Sequence, residues 1–231
     1  MHCNYSVEQV KELIIKQLDN FFIIDKKVDN VLLEAVERTF MRVEECFSHV
    51  NNKYYHDNSK VIFSTNHSGQ YSIFLYYLSN ILYKSSLQDN CKHMLELAEQ
   101  IYYLNKIMHG VDWFYAIDLP KHFLVEHPVG SVLGRATYGD YLCVYQGVSI
   151  GGVRKENEII YPEIGNNVTL FANSCVLGDC RIGDNVIIGA NTKIINKNIP
   201  SNSKVIQKDG EVIIKNNNLK NDLGLWSIGS L

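Results

Sequence analysis

The stretch "IGNNVTLFANSCVLGDCRIGDNVIIGANTKII", residues 164–195, decides the fold. Every sixth residue in it is aliphatic: Ile164, Leu170, Val176, Ile182, Ile188 and Ile194. Two places before each following aliphatic stands a small or branched residue, namely Val168, Ser174, Cys180, Val186 and Thr192. Upstream the register resumes through Tyr138, Val144 and Ile150, with Leu142 and Val148 in the second position. A helix repeats every ~3.6 residues and a half-buried strand every two, so neither gives a period of six. Self-similarity at six residues marks a parallel β-helix in which three hexapeptides build one triangular coil. The aliphatic residues then point inward and stack on their copies. Gly165, Gly183 and Gly189, each just after an aliphatic, are expected where the chain turns its corners.

Residues 1–110 follow the helical period instead. "SVEQ" at 6–9 is a capping box, in which Ser6 and Gln9 satisfy free backbone N–H groups. Val7, Val10, Leu13, Ile14 and Leu18 then form one apolar stripe. A second helix is expected over 28–48, a third from "SGQYSIFLYYLSNILYK" and a fourth over 90–108, stopped by Gly110. The third is apolar on all sides, the pattern of a buried helix. The class is therefore α+β: a helical region 1–110, a β-helix over 111–208 and a tail over 209–231.

Composition narrows the function. The 231 residues are 46% hydrophobic and 20% charged, with net charge −3, the balance of a soluble globular protein with no bias toward nucleic acid or membrane. The N-terminus "MHCNYSVEQ" has no signal-peptide layout, and no apolar run is long enough to span a bilayer. The six cysteines (3, 46, 91, 143, 175, 180) are scattered, with no CxxC pair, so buried thiols in a cytoplasmic protein are expected. A zinc site needs about three histidine ligands, and the coils from 130 onward contain no histidine, so no metal is expected.

The stretches "HSGQYSIFLYYLSNILY", "VDWFYAIDLPKHFLVEHPVGSVLG", "GVSIGG" and the coils quoted above, together spanning roughly 67–205, resemble the serine acetyltransferases among the hexapeptide-repeat acyltransferases. The resemblance implies a left-handed coil, although the usual crossover rule favours right-handed connections. It implies acetyl transfer from acetyl-CoA to a hydroxyl. It also matches Glu126, His127, Gly130 and Gly134 to the motif around the family's catalytic histidine, with Asp112, after Val111, as the partner aspartate. On a coil of about eighteen residues, the fifteen residues from Asp112 to His127 return the chain nearly above its start. An aspartate bonded to one ring nitrogen leaves the other free to take a proton. A surface histidine beside a surface acid is the plain alternative.

An alcohol is a poor nucleophile at neutral pH, so a base must take its proton as it attacks. No cysteine or serine matches a family nucleophile, and direct attack is expected. By resemblance, backbone N–H groups near Gly151 and Gly152 face the oxyanion, and Ala172 and Ala190 line the CoA groove. Tight or small corner residues are the plain reading of these four. Lys204 and Lys208 are candidates for the CoA phosphates, or simply a solvated edge.

The loop 153–163 departs from the family, which ends it in Arg-His-Pro to serve the serine acceptor. Here Ile160 and Tyr161 precede Pro162. Isoleucine cannot pair with a carboxylate as arginine does. Tyrosine, with a pKa near ~10, is a poor base but a hydrogen-bond donor. Arg154 offers a replacement cation, and Glu126, in place of aspartate, can hold an acceptor amine or hydroxyl. The acceptor is thus serine held differently, another small hydroxyl compound, or a sugar hydroxyl. A non-catalytic CoA-binding or docking scaffold is the third reading. His122 is a further site candidate or a surface residue, and His67 and His109 are expected to cap helix ends. The family pattern implies a homotrimer or a dimer of trimers. Its C-terminal tails, ending in isoleucine, dock into another enzyme, and Leu231 is a near match. The tail can equally pack on its own chain.

Overall fold

The computed structural model describes residues 1–24, 29–57, 60–217 and 223–227. These fall into two compact units, Met1–Asp118 and Leu119–Leu231.

The first unit holds α1 (Val7–Asp19), α2 (Asp29–Ser48), α3 (Ser68–Asp89) and α4 (Lys92–His109). The capping box at Ser6 is complete in both directions, and Val10, Ile14 and Leu18 bury the α1 stripe. Position 28 of the expected second helix lies outside the described residues. α3 is buried continuously from Gly69 to Asn80, which is why its apolar residues show no one-sided pattern. Its Tyr76 hydroxyl donates to the Ile117 carbonyl at 2.6 Å, and Asn80 donates to the Tyr115 carbonyl at 2.7 Å. These bonds tie the segment after α4 onto the buried helix. His67 caps α3 through Nδ1, which accepts from the Gln70 N–H at 3.2 Å. His109 does not cap; its ring meets the Asn105 side chain at 2.8 Å. Gly110 turns left-handed at φ +65° and ends α4.

The second unit is a parallel β-helix with three sheets. The first contains Phe123–Val125, Leu142–Val144, Thr169–Leu170, Ile187–Ile188 and Ser203–Lys208, joined by antiparallel Glu211–Asn216. The second contains Val132–Leu133, Ser149–Gly151, Cys175–Leu177 and Lys193–Ile195, and the third Thr137–Tyr138, Glu163–Ile164 and Arg181–Ile182. The register follows the hexads: Leu170 pairs with Ile188, Val176 with Ile194 and Ile164 with Ile182. All six hexad aliphatics are buried, as are Val168, Ser174, Cys180, Val186 and Thr192. Each buried aliphatic contributes about 1.5–3 kcal/mol.

The corners differ from expectation. The left-handed residues are asparagines, with Asn167, Asn173, Asn185 and Asn191 at φ +54° to +58°. Asparagine tolerates this region because its short side chain bonds locally. Gly165 and Gly183 have no positive φ and serve close stacking instead. A Cβ on Gly165 would lie 2.7 Å from the Gly183 carbonyl carbon, and one on Gly183 would lie 2.5 Å from the Ser201 nitrogen. The loop 153–163 is a hairpin, with Val153–Lys155 antiparallel to Glu158–Ile160. All six cysteines are free; Cys46, Cys143 and Cys180 are buried, whereas Cys3, Cys91 and Cys175 are only partly so. No helix among the described residues is long and apolar enough to cross a membrane.

Candidate active site

The corner between the first and second sheets repeats down the coils in strict register. Backbone bonds run from Asn191 N–H to Ala172, from Asn173 N–H to Gln146 and from Gly147 N–H to Val129, at 2.9–3.0 Å. Val129, Gln146, Ala172 and Ala190 therefore occupy one column. The column before it is Glu126, Tyr145, Phe171 and Gly189: Glu126 N–H bonds Val144, Tyr145 N–H bonds Leu170 and Phe171 N–H bonds Ile188. In the topmost coil, two residues stand between these columns, His127 and Pro128, with no counterparts below.

His127 thus sits in a two-residue bulge, outside the hydrogen-bonded ladder. It is exposed and adopts φ +54°. A positive φ is uncommon for a residue other than glycine, and such conformations gather at functional sites. The bulge is held from both sides. Ser131 donates through Oγ at 2.6 Å and through its N–H at 3.1 Å to the Pro128 carbonyl, and Gly130, at φ +76°, rejoins the regular corner above Gly147. The proline after His127 fixes φ at the exit of the bulge.

Beside it, Glu126 is half-buried. Burial, then neighbouring Cys143 and Glu126, push the Tyr145 phenol up to about 12. Burial and Glu126 likewise push the Cys143 thiol up. Both stay protonated at neutral pH, so Cys143 is no nucleophile.

The other predicted residues are distributed as follows. Ala172 and Ala190 lie in the column that continues below the bulge. Ser203–Lys208 runs on past Val205, which bonds Gly189 N–H at 2.7 Å, so Ile206 follows Gly189 in its column and exposed Lys208 lies beyond it. Lys204 lies on the first sheet, opposite Lys215. Gly151, Gly152, Arg154 and Tyr161 gather at the next corner, between the second and third sheets. A Cβ on Gly151 would meet nothing within 4 Å, whereas one on Gly152 would strike Ile159 at 2.4 Å and Tyr161 at 2.8 Å. Glycine at 152 admits the hairpin side chains. Arg154 is exposed on the hairpin, in register with Ile159.

Asp112 belongs to the helical unit. Its carboxylate accepts from the Tyr102 hydroxyl at 2.6 Å and from Lys106 Nζ at 2.7 Å. Partial burial works against ionisation there, but the Lys106 and Tyr102 donors outweigh it and hold the carboxyl below its ordinary value. Neither partner was visible in the hexad spacing. His122 is buried, stacks on Tyr141 at 4.9 Å and approaches Asp140 at 3.7 Å; it is no surface residue. Trp226 meets Tyr141 edge-on at 5.5 Å, so the described part of the tail packs on its own β-helix. Leu231 and residues 218–222 of the expected linker lie outside the described residues. Among the described residues no group of three or more His, Cys, Asp or Glu is placed to hold a metal ion.

Known proteins share both the repeats and the whole architecture. The family model of the bacterial transferase hexapeptide (six repeats) matches residues 161–196. A serine acetyltransferase of Staphylococcus epidermidis is 31% identical over 150 residues, covering 64% of this chain and 67% of the relative. The chain belongs to the serine acetyltransferase family. A Staphylococcus aureus serine acetyltransferase is 30% identical over the same length, again covering 64% of this chain and 67% of its own. Among solved structures, the serine acetyltransferase of Neisseria gonorrhoeae superposes with TM-score 0.66 at 20% identity, covering 91% of this chain and 80% of that one. A soybean serine acetyltransferase complexed with serine gives 0.66 at 18%, covering 90% and 85%. The fold is the family's helical region followed by a left-handed β-helix, and the protein is a family acetyltransferase.

Proposed function

We propose that this chain moves an acetyl group from acetyl-CoA to a hydroxyl acceptor, L-serine or a related small hydroxyl compound, with His127 as general base. The observation that carries the reading is the bulge: the one histidine outside the ladder, exposed, beside Glu126 and heading the column of Ala172 and Ala190. The acceptor oxygen attacks the thioester carbonyl as His127 takes its proton. Backbone N–H groups near Gly151 and Gly152 stabilise the oxyanion. The C–S bond then breaks and the CoA thiolate leaves, with no acyl-enzyme.

Asp112 is the proposed partner of His127. The resemblance implies this pairing, and the ionised state favoured by Lys106 and Tyr102 suits a group that orients an imidazole. Glu126, Tyr161 and Arg154 are assigned to the acceptor. Gly151, Gly152, Ala172, Ala190, Lys204 and Lys208 are assigned to acetyl-CoA. The β-helix unit, which carries His127, does the chemistry, in a cytoplasmic homotrimer or dimer of trimers, with the end of the chain assigned to docking. The hairpin and the His127 bulge lie at opposite ends of the second-sheet strands, which supports an assembly in which one chain's hairpin meets its neighbour's base.

The test is CoA release from acetyl-CoA with L-serine, for the wild type and His127→Ala. Serine-dependent release that falls by about 10²–10⁴ in the variant supports the reading; equal release by both proteins rejects the base.

A further inference from the structure

We propose that the Tyr145 hydroxyl binds the carboxylate of the acceptor serine, in place of the arginine that the resemblance expects at position 160. This rests on the reading of His127 as the base and adds a residue to its acceptor site. Tyr145 follows Glu126 in one column, a coil further down, on the same corner as the His127 bulge. Its ring stacks on Phe171, with centroids 4.9 Å apart and planes 26° from parallel. Both rings are half-buried, and the inward side of the coil is filled by Val144 and Leu170. The stack therefore fixes an outward-facing phenol instead of filling the core.

The phenol is an unmatched group. The hydroxyls of Tyr71, Tyr76, Tyr102, Tyr115 and Tyr138 donate to protein oxygens at 2.6–3.1 Å. Tyr145 makes no such bond among the described residues. It stays protonated at neutral pH and so has a proton to donate. Gln146, next in the chain, buries Oε1 without a hydrogen-bond partner among the described residues. A few convergent polar groups beside an apolar wall are the usual form of a small-molecule site.

Serine fits these groups by its charges. Glu126 and Gln146 Oε1 are acceptors and suit the ammonium group. Glu126 repels a carboxylate, which turns instead to the donor one coil further down. Neighbouring strands lie about 4.8 Å apart, a step short enough for one amino acid to reach both levels. The serine hydroxyl is then left to face His127. An O–H that donates to a carboxylate makes a charge-assisted bond, and the phenol keeps its proton throughout the reaction. Arg154 and Tyr161 of the same chain lie at the next corner, whereas Tyr145 shares the corner of His127.

The experiment measures CoA release from acetyl-CoA by the full chain with L-serine and with L-serinamide, which lacks the carboxylate. It uses the wild type and Tyr145→Phe, each melted in parallel. Phenylalanine keeps the ring and its stack and removes only the hydroxyl. The expected result is a serine KM about tenfold higher in the variant, with the KM for acetyl-CoA and the melting temperature unchanged. The kcat/KM ratio of serine to serinamide should fall about tenfold. A serine KM unchanged in Tyr145→Phe overturns the proposal, as does an equal loss with serine and serinamide. Both of these results leave the acetyl-transfer reading standing. Release by the wild type that does not depend on serine overturns that reading together with the role of Tyr145.

Discussion

Two corners of the same β-helix are built from the same hexads and used in different ways. At the corner leading from the third sheet to the first, Tyr141, Asn167, Asn185 and Asn202 all turn left-handed, at φ +54° to +62°. Asn167 donates to Asn185 at 3.0 Å, and Asn185 donates to Asn202 at 3.1 Å. A second ladder runs beside it: the Asp140 N–H donates to Asn166, the Asn166 N–H to Asp184 and the Asp184 N–H to Ser201. At the corner leading from the first sheet to the second, the top coil breaks the repeat with His127 and Pro128. There Tyr145 and Phe171 stack in one column, and Gln146 keeps an unmet acceptor among the described residues. The regular edge bonds its asparagine side chains to one another from coil to coil and holds the stack together. The irregular edge leaves His127 exposed and Gln146 Oε1 without a partner among the described residues, the state that the proposed binding and proton transfer require.

This contrast can be broken by experiment. The largest effect on stability is expected in the shared core. Ile188→Ala should cost about 2–5 kcal/mol by urea unfolding, since Ile188 is fully buried between Leu170 and Val205. Gly183→Ala at the regular corner should cost about 1–3 kcal/mol, because its Cβ would press on the Ser201 backbone. Asn185→Ala should cost about 1–2 kcal/mol, the penalty of a left-handed turn without asparagine, plus two ladder bonds. Both corner variants should keep the wild-type kcat at temperatures where they are folded. A large loss of kcat in either would show that the regular edge also serves chemistry.

A separate effect concerns pH and the helical unit. Burial lowers the His109 pKa to about 4 from an ordinary 6.5. The unfolded chain therefore binds the extra proton first, and stability drops as pH falls from about 6.5 to about 4. Thermal melts at steps across that window should show a decline that is weaker in His109→Gln. An identical decline in both proteins would assign the pH dependence to other groups.

Much of the scaffold was legible in the sequence because repetition makes weak signals add. Six aliphatics at a spacing of six specify the coil, its inward face and its register, and Ser6, Gln9 and Gly110 mark helix ends through local chemistry. The true corner residues were also visible, since Asn167, Asn173, Asn185 and Asn191 each lie three places after a hexad aliphatic. The glycines drew the reading instead, because a glycine needed for close stacking looks in sequence like one needed for a turn. The hairpin at 153–160 and the antiparallel strand Glu211–Asn216 interrupt the period, so periodicity was silent there.

The site was only partly legible. His127 stands out by its motif, but the bulge that frees it emerges only when Val125–Val132 is laid against Val144–Ser149 and found two residues longer. The Tyr145–Phe171 stack joins residues a full coil and a hairpin apart. The grip of Tyr102 and Lys106 on Asp112 comes from a helix outside the repeat.

The most direct test of the account is His127→Asn, assayed for CoA release and melted in parallel. Asparagine tolerates the left-handed turn that the bulge imposes but cannot take the acceptor's proton. The account predicts an unchanged melting temperature with acetyl-CoA turnover reduced by about 10²–10⁴. Turnover within a few-fold of wild type would contradict it, and His127 would then be a surface histidine in a tight turn.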